Sequence, residues 1–403
     1  MLLYKFKEPT VPVKYLETDK QVRIPLQYNQ KPVRALWVSN VVNIDLPTTE
    51  DLKQYQEKLK EIIQIVKDYN LNTIYFQVRT NNDAFYHSKL NPTSRYFVGK
   101  EGNPLKFDAL KWIIKEAHKN KIELHAWCNP YRVSQSGKIP KAEWLASCSD
   151  LNLAKRRPDL IVLDTEGQII LNPAKEEVKN HIIDSMIEII ENYDVDGIHF
   201  DDYFYPYRPL AEKYNDLACY EARKDKSLSL EEFREQQVDD VIKGVYDAVK
   251  KINNNLKFGV SPFGIWKTKA SDPKGSNNPS GVYESGIGQH ANSYRWVKEG
   301  FVDYIVPQLY WEFANRLAPF ADMTKWWVEL CKGTNVELYI GHAAYRLGRE
   351  GEFENPLEIV NQLKYANQYD EVKGNVFFTY NTFISKGNSE AGMQQLKKLL
   401  RRE

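Results

Sequence analysis

Residues 194–206 read DVDGIHFDDYFYP, and the fold and the chemistry of the chain are read outward from this stretch. Residues 195–200 form a short apolar run with the length and flanks of a buried strand. It delivers the chain straight to two carboxylates, Asp201 and Asp202, before an aromatic turn closed by Pro206. An ionised carboxylate beside a core costs several kcal/mol unless something pairs or uses it, so adjacent acids at this place point to a reactive centre. Alternation puts His199 and Asp201 on one face of the strand and Ile198 and Phe200 on the other. The apolar pair should face helices and Asp201 the interior, while Asp202, at the strand end, is free to turn either way.

The same unit repeats on both sides of this stretch. Upstream, residues 34–39 (RALWVS), 73–79 and 123–128 read as apolar strands. The helices between them carry Leu59, Ile62, Ile63 and Val66 behind a Thr49 cap, and Ile113, Ile114 and Ala117 behind Asp108. Residues 129–171 are too long for a simple connection and suit a substrate-binding excursion. Asn172-Pro173 is expected to open the helix before the acid-bearing strand. Downstream, Ser229 and Glu232 spell a capping box. Strands follow at 257–261, 304–309, 337–341 and 375–380, with helices at about 293–298 and 321–332, another starting at Asn355-Pro356, and one at the end. Eight near-continuous apolar strands alternating with eight helices predict a (β/α)8 TIM barrel with long βα loops over residues 34–403, behind a short N-terminal arm at 1–33. The rival, an open doubly wound sheet, lacks a GxGxxG after its first strand.

Composition narrows the function. With 55 basic and 54 acidic residues the net charge is +1, which argues against an electrostatic nucleic-acid binder and for a neutral or mildly charged ligand. Cys128, Cys148, Cys219 and Cys331 have neither CxxC nor Cys/His ligand spacing, and the seven histidines make no HxH or HExxH, so no metal or other cofactor is expected. No GxSxG supports an esterase. Residues 1–12 hold no uninterrupted apolar segment or small-residue cleavage site, and no later run approaches a membrane span; the chain reads as soluble, or as a mature form whose export signal was removed.

In a barrel of this kind the site lies just beyond the strand ends. There the chain places Arg79 and Asp83, then Asn129, Tyr131 and Arg132, then Asp201 and Asp202, then Gln308, Tyr310, Trp311 and Glu312, and finally Tyr345. Aromatics reach 13% of the chain, and polar groups among large aromatics suit a carbohydrate groove. Asp201 and Asp202 are the candidate catalytic pair, because mutual proximity raises a carboxyl pKa and supplies the proton donor for glycosidic cleavage. The other ten are candidate substrate-binding residues. Blander roles stand beside these: Asp202 could cap a loop or pair with Arg79 or Arg132, Asp83 could anchor its loop, Arg79 could pair with Asp83 or Asp201, and Glu312 could be solvated. Trp127, Trp266 and Trp311 could stack on sugars or fill the core.

RALWVSNVVNID, IYFQVRTNNDAFYHSKLNP, ELHAWCNPYRVS, LNPAKEEV, DVDGIHFDDYFYP, FGVSPFGIW and DYIVPQLYW, in that order, resemble the bacterial glycoside-hydrolase-like family 10, formerly a domain of unknown function. That family is similar to divisome-associated peptidoglycan glycosidases. The resemblance implies a (β/α)8 barrel, hydrolysis of a cell-envelope glycan outside the cytoplasm, and a catalytic FDD motif at Asp201 and Asp202, with Arg79, Asp83, Asn129, Arg132, Gln308 and Tyr310 on recurrent motifs. The strand also resembles the DxxDxDxE of chitinases, but Tyr203 stands where those carry the acid glutamate, so a chitinase assignment does not transfer. The expected activity is glycoside hydrolysis of N-acetylhexosamine-containing peptidoglycan strands. Asp201 would orient the acetamido group or attack, and Asp202 would donate the proton. The alternatives are a non-catalytic glycan-binding scaffold and a metal-dependent barrel hydrolase.

Overall fold

Strands that are apolar on both faces need cover on both faces, which parallel pairing with helical crossovers supplies. The computed structural model describes residues 1–49 and 51–401. Its strands are β1 (Val33–Val38), β2 (Thr73–Arg79), β3 (Glu123–Cys128), β4 (Ile161–Leu163), β5 (Ile169–Leu171), β6 (Gly197–Phe200), β7 (Lys257–Val260), β8 (Tyr304–Ile305), β9 (Glu337–His342) and β10 (Val372–Phe377). Eight of them close into a parallel barrel in the order β1-β2-β3-β6-β7-β8-β9-β10, with β10 pairing back onto β1. This is the (β/α)8 barrel expected from the strand pattern. The excursion after β3 is ordered by two short helices, Lys141–Ser147 and Leu153–Arg156, and by the antiparallel β4–β5 hairpin.

Side-chain parity divides the core in two. Ile198 and Phe200 pack outward with the helices. His199 points inward, where Tyr75 stacks on it at 4.3 Å and 15°, and Tyr304 lies nearly parallel at 5.9 Å. Trp37 Nε1 donates to His199 Nε2 (3.2 Å), so the imidazole is neutral there, consistent with burial pushing its pKa well down. Aromatic rings, Trp37, Tyr75, Trp127, Tyr304 and Tyr339, share the barrel interior with Val33, Ala35, Val306 and Val376.

Local signals for helix starts hold where the chain is free to use them. Asp108 accepts from Lys111 N, and Ser229 and Glu232 form the reciprocal box at the start of Leu230–Ile252. Thr49 does not cap Leu52–Asp68: Asp51 does, accepting from Gln54 N, while the Thr49 hydroxyl donates to the Phe97 carbonyl (2.8 Å). Asn172-Pro173 likewise forms a turn, not a helix start. Asn172 N is held by the Leu160 carbonyl beside the hairpin, and the helix Glu176–Asn192 begins only after Lys175. Asn355 also makes a turn, accepting from Leu357 N, before the helix Glu358–Asn367. The last strand runs earlier than residues 375–380, and Tyr380–Ile384 is already helical. At the N-terminus, isolated antiparallel bridges such as Leu2 to Arg23 fold residues 1–24 back on themselves, burying Leu3, Val13, Val22 and Ile24. Among the described residues no helix is long and apolar enough to cross a membrane.

Gly259 on β7 is level with His199 and leaves the space that the Tyr304 ring occupies: a Cβ there would sit 2.2 Å from Tyr304 Cε2. Gly259→Ala should therefore overpack the interior and destabilise the protein by about 1–3 kcal/mol. A lowered urea midpoint with an unchanged m-value checks this, and an unchanged midpoint refutes it.

Candidate active site

β6 ends at Phe200, and past it the chain leaves the pleat, so strict alternation no longer separates the two acids. Asp201 and Asp202 both line one cleft of about 220 Å³ at the C-terminal end of the barrel. Both are only 5% exposed, a level of burial at which an acid needs partners.

The partners come from neighbouring strands. Asn129, one residue past β3, donates through Nδ2 to Asp201 Oδ2, and Trp127 Nε1 donates to the same oxygen (3.3 Å). Tyr203 N donates to Asp201 Oδ1 (3.2 Å). The Asn129 amide is itself fixed, because its Oδ1 accepts from Gln77 Nε2 (2.7 Å) and Arg132 Nη2 (2.7 Å). The Tyr207 hydroxyl donates to Asp202 Oδ2, and Gln289 Nε2 donates to the Asp202 carbonyl. Burial pushes the carboxyl of Asp201 well above the ordinary aspartate range; Arg132 pulls it back in part, and Asp202 adds to the rise. Burial also raises Asp202, against the downward pull of Tyr207.

Of the expected binding residues, Arg132, Gln308 and Tyr310 line the cleft with the two acids. Asn129 touches Asp201 from behind. Arg79 is buried and donates to the carbonyls of Asn129 and Pro130 and to Asn82 Oδ1, and no ion pair joins it to Asp83 or Asp201 among the described residues. Asp83 accepts from Thr80 N, Thr80 Oγ1 and Asn81 N, holding its loop. Tyr131 is fully buried away from the cleft. Trp311 does not line the cleft; it packs edge-on against Phe263 (5.5 Å). Glu312 also lies off the cleft, near Arg346 Nη1 (3.5 Å) and accepting from Asn315 Nδ2 (3.1 Å). Tyr345 lines an adjoining cavity. Trp127 lines the cleft, whereas Trp266 stacks on Tyr294 (4.9 Å).

Sequence reasoning passed over Trp37, Gln77, Tyr203, Tyr207 and Phe378, all in the cleft wall. Gln77 carried a signal, since it is a polar residue in a largely apolar strand and shares the interior face with Tyr75. Tyr207 and Phe378 carried none, because only loop geometry brings them in. Asp45 was also missed. Its carboxyl, pushed up to about 6 by burial, accepts from Ser39 N (2.6 Å), Thr379 Oγ1 and Asn381 N (2.8 Å), tying the loop after β1 to the chain after β10.

A family model described as glycosyl hydrolase-like 10 matches residues 32–358. The glycosyl hydrolase YngK of Bacillus subtilis (strain 168) is 32% identical over 368 residues, spanning 89% of this chain and 70% of the relative. The glycosyl hydrolase DigH of Escherichia coli (strain K12) is 30% identical over 393 residues, 92% of this chain and 88% of the relative. Among solved structures, the PgaB (BpsB) glycoside hydrolase domain of Bordetella bronchiseptica aligns with a TM-score of 0.55 at 13% identity, covering 92% of this chain and 99% of that one. Alpha-L-fucosidase isoenzyme 2 from Paenibacillus thiaminolyticus aligns at 0.54 and 12% identity, covering 91% of this chain and 49% of that one. At such identities the likeness is one of fold.

The acid pair gives stability a definite pH dependence. The unfolded chain releases these protons near the ordinary value of 3.8, whereas the native protein holds them to higher pH. Over that window the unfolded state binds fewer protons, so stability contributed by the protonated pair falls as pH rises through the raised native values. Urea unfolding at about pH 4 and about pH 7 should show this loss, and the Asp201→Asn/Asp202→Asn double variant should lose less over the same interval. A double variant as pH-sensitive as the parent would contradict the assignment.

Proposed function

The chain belongs to the glycosyl hydrolase-like 10 family, and from that premise we propose that it is a glycoside hydrolase acting on an N-acetylhexosamine-containing glycan of the bacterial cell envelope, with peptidoglycan strands as the substrate. The observation that carries this reading is the pair of buried carboxyls with raised pKa at the mouth of the barrel, facing aromatic and amide side chains. A protonated carboxyl held near neutral pH is what cleavage of an unactivated glycosidic bond requires. Trp37, Trp127, Tyr310 and Phe378 offer flat apolar faces for a sugar ring, and Gln308 offers an amide for its hydroxyls. Curated relatives named as glycosyl hydrolases support the reaction class.

In the proposed reaction Asp202 gives its proton to the glycosidic oxygen. The substrate's acetamido carbonyl oxygen attacks the anomeric carbon as the bond to the leaving sugar breaks, forming an oxazolinium ion, while ionised Asp201 holds the acetamido N–H. Asp202, now a carboxylate, takes a proton from the water that reopens the ring, so the anomeric configuration is retained.

Purified sacculi are the first substrate to test, with released fragments identified by mass spectrometry. Asp201→Asn and Asp202→Asn should each remain folded and lose about 10²–10⁴-fold in kcat. Wild-type rates in both variants would sink the assignment. A thiazoline analogue of the oxazolinium should inhibit competitively, and NMR of the first-formed product should show retention; inversion would exclude the acetamido route.

A further inference from the structure

The cleft does not end at its own rim. Ile44 and Phe378, which line it, also line a second cavity of about 510 Å³ formed by the segments after β1, β9 and β10. The two spaces are joined through aromatic contacts as well: Tyr345, from the second cavity, meets Tyr310 of the cleft at 5.9 Å and Phe378 at 6.0 Å.

The second cavity has a different chemistry from the first. Its lining holds one charged residue, Arg349, and no Asp or Glu. The Arg349 guanidinium rests 5.4 Å from the Tyr345 ring centroid, and among the described residues its side chain makes neither a hydrogen bond nor an ion pair. Arg346, one turn earlier, contrasts with it, being bound to the Tyr310 carbonyl (2.8 Å) and near Glu312. The side-chain amides of Asn381 and Asn388, also in the lining, likewise have no hydrogen-bond partner among the described residues. Asp45 is bonded to two lining residues, and its oxygens accept from Ser39 N, Thr379 Oγ1 and Asn381 N. Arg349, Asn381 and Asn388 are all exposed, and a planar cation and amides without protein partners, lining one space large enough for a sugar ring, have the donors that a carboxylate accepts from.

We propose that this second cavity is a subsite continuous with the catalytic cleft, binding a carboxylate carried by the glycan next to the sugar being cleaved, with Arg349 as the specificity-determining residue. The proposal rests on the glycan reading above. Two sources share the chemistry: an acidic substituent of the sugar itself, or the carboxylates of a peptide attached to it.

The test measures binding to the Asp202→Asn protein by calorimetry, so that it does not depend on turnover. The probes are a tetrasaccharide of alternating N-acetylglucosamine and N-acetylmuramic acid, its carboxyl-reduced derivative, and the same tetrasaccharide bearing stem peptides. The acidic tetrasaccharide should bind about tenfold tighter than the reduced one, and adding Arg349→Gln should abolish that difference while leaving the reduced probe's affinity within about twofold. Arg349 dependence confined to the peptide-bearing probe supports the subsite with the peptide as the source. Equal affinities for all probes, equal effects of Arg349→Gln on all, or no binding of either acidic probe overturns the proposal. Arg349-dependent binding without cleavage by the parent would remove the glycosidase reading and keep the subsite; cleavage without any carboxylate dependence would do the reverse.

Discussion

One side-chain amide sets the arrangement of the cleft. Asn129 accepts from Gln77 and from Arg132 through a single oxygen, which leaves its nitrogen only one direction, toward Asp201. Gln77 is in turn anchored by the backbone N–H groups of Asn40 and Val41, both at 2.8 Å on its Oε1. The segment after β1, the end of β2, the end of β3 and the acid beyond β6 are thereby locked by a chain of bonds in which each donor determines the next acceptor. Rotating any one amide would set donor against donor in a buried place, a loss of about 1–3 kcal/mol per orphaned group.

The same network explains why two buried arginines do not quench the two buried acids. Arg79 and Arg132 point their donors at neutral oxygens, the carbonyls of Asn129, Pro130 and Thr80 and the amides of Asn82, Asn81 and Asn129. A direct guanidinium–carboxylate fork would hold the acid ionised and depress its pKa. Kept one residue away, Arg132 softens the cost of burying Asp201 while leaving its pKa raised. Tyr203 lies beneath the Arg132 guanidinium at 4.6 Å. Its ring thus supports the cation that stands behind the Asn129 amide.

The barrel was legible because its strands carry apolar residues on both faces, and parity along residues 195–200 turned His199 inward; past Phe200 parity did not separate the acids, and both line the cleft. What failed to read was whatever depends on the chain after it leaves a strand. Thr49 and Asn172 have the side chains of helix caps, yet one is bound to the Phe97 carbonyl and the other accepts from Ala174 N in a turn short of the helix, its own N–H held by the Leu160 carbonyl. Residues 304–309 looked like a long strand, but β8 has two residues. Its continuation stays hydrogen-bonded to both neighbours, from Val306 N and Gln308 N to the Val260 and Pro262 carbonyls and between residues 307–309 and Gly341, but forms isolated bridges instead of a ladder, and beyond it Trp311 and Glu312 turn off the cleft. Tyr207 reaches Asp202 across a turn whose direction no spacing rule encodes.

The hydrogen-bond inventory separates the roles proposed for the adjacent acids. Both oxygens of Asp201 are occupied, one by Asn129 and Trp127 and the other by Tyr203 N, and every partner is a donor. A carboxyl surrounded by donors has no acceptor waiting for its proton, so ionisation improves its bonding even though burial opposes it. Asp201 is therefore the acid suited to carry negative charge opposite a developing oxazolinium. Asp202 receives the Tyr207 hydroxyl on Oδ2 and a hydrogen bond from the Gln308 side chain, and both bonds oppose the rise that burial gives its pKa. Burial keeps the Asp202 pKa raised in spite of these bonds, so a carboxyl that lines the cleft can carry a proton there. Adjacent in sequence and buried alike, the two carboxyls are distinguished by where their donors stand, and that asymmetry follows from the direction in which Gln77 and Arg132 hold the amide of Asn129.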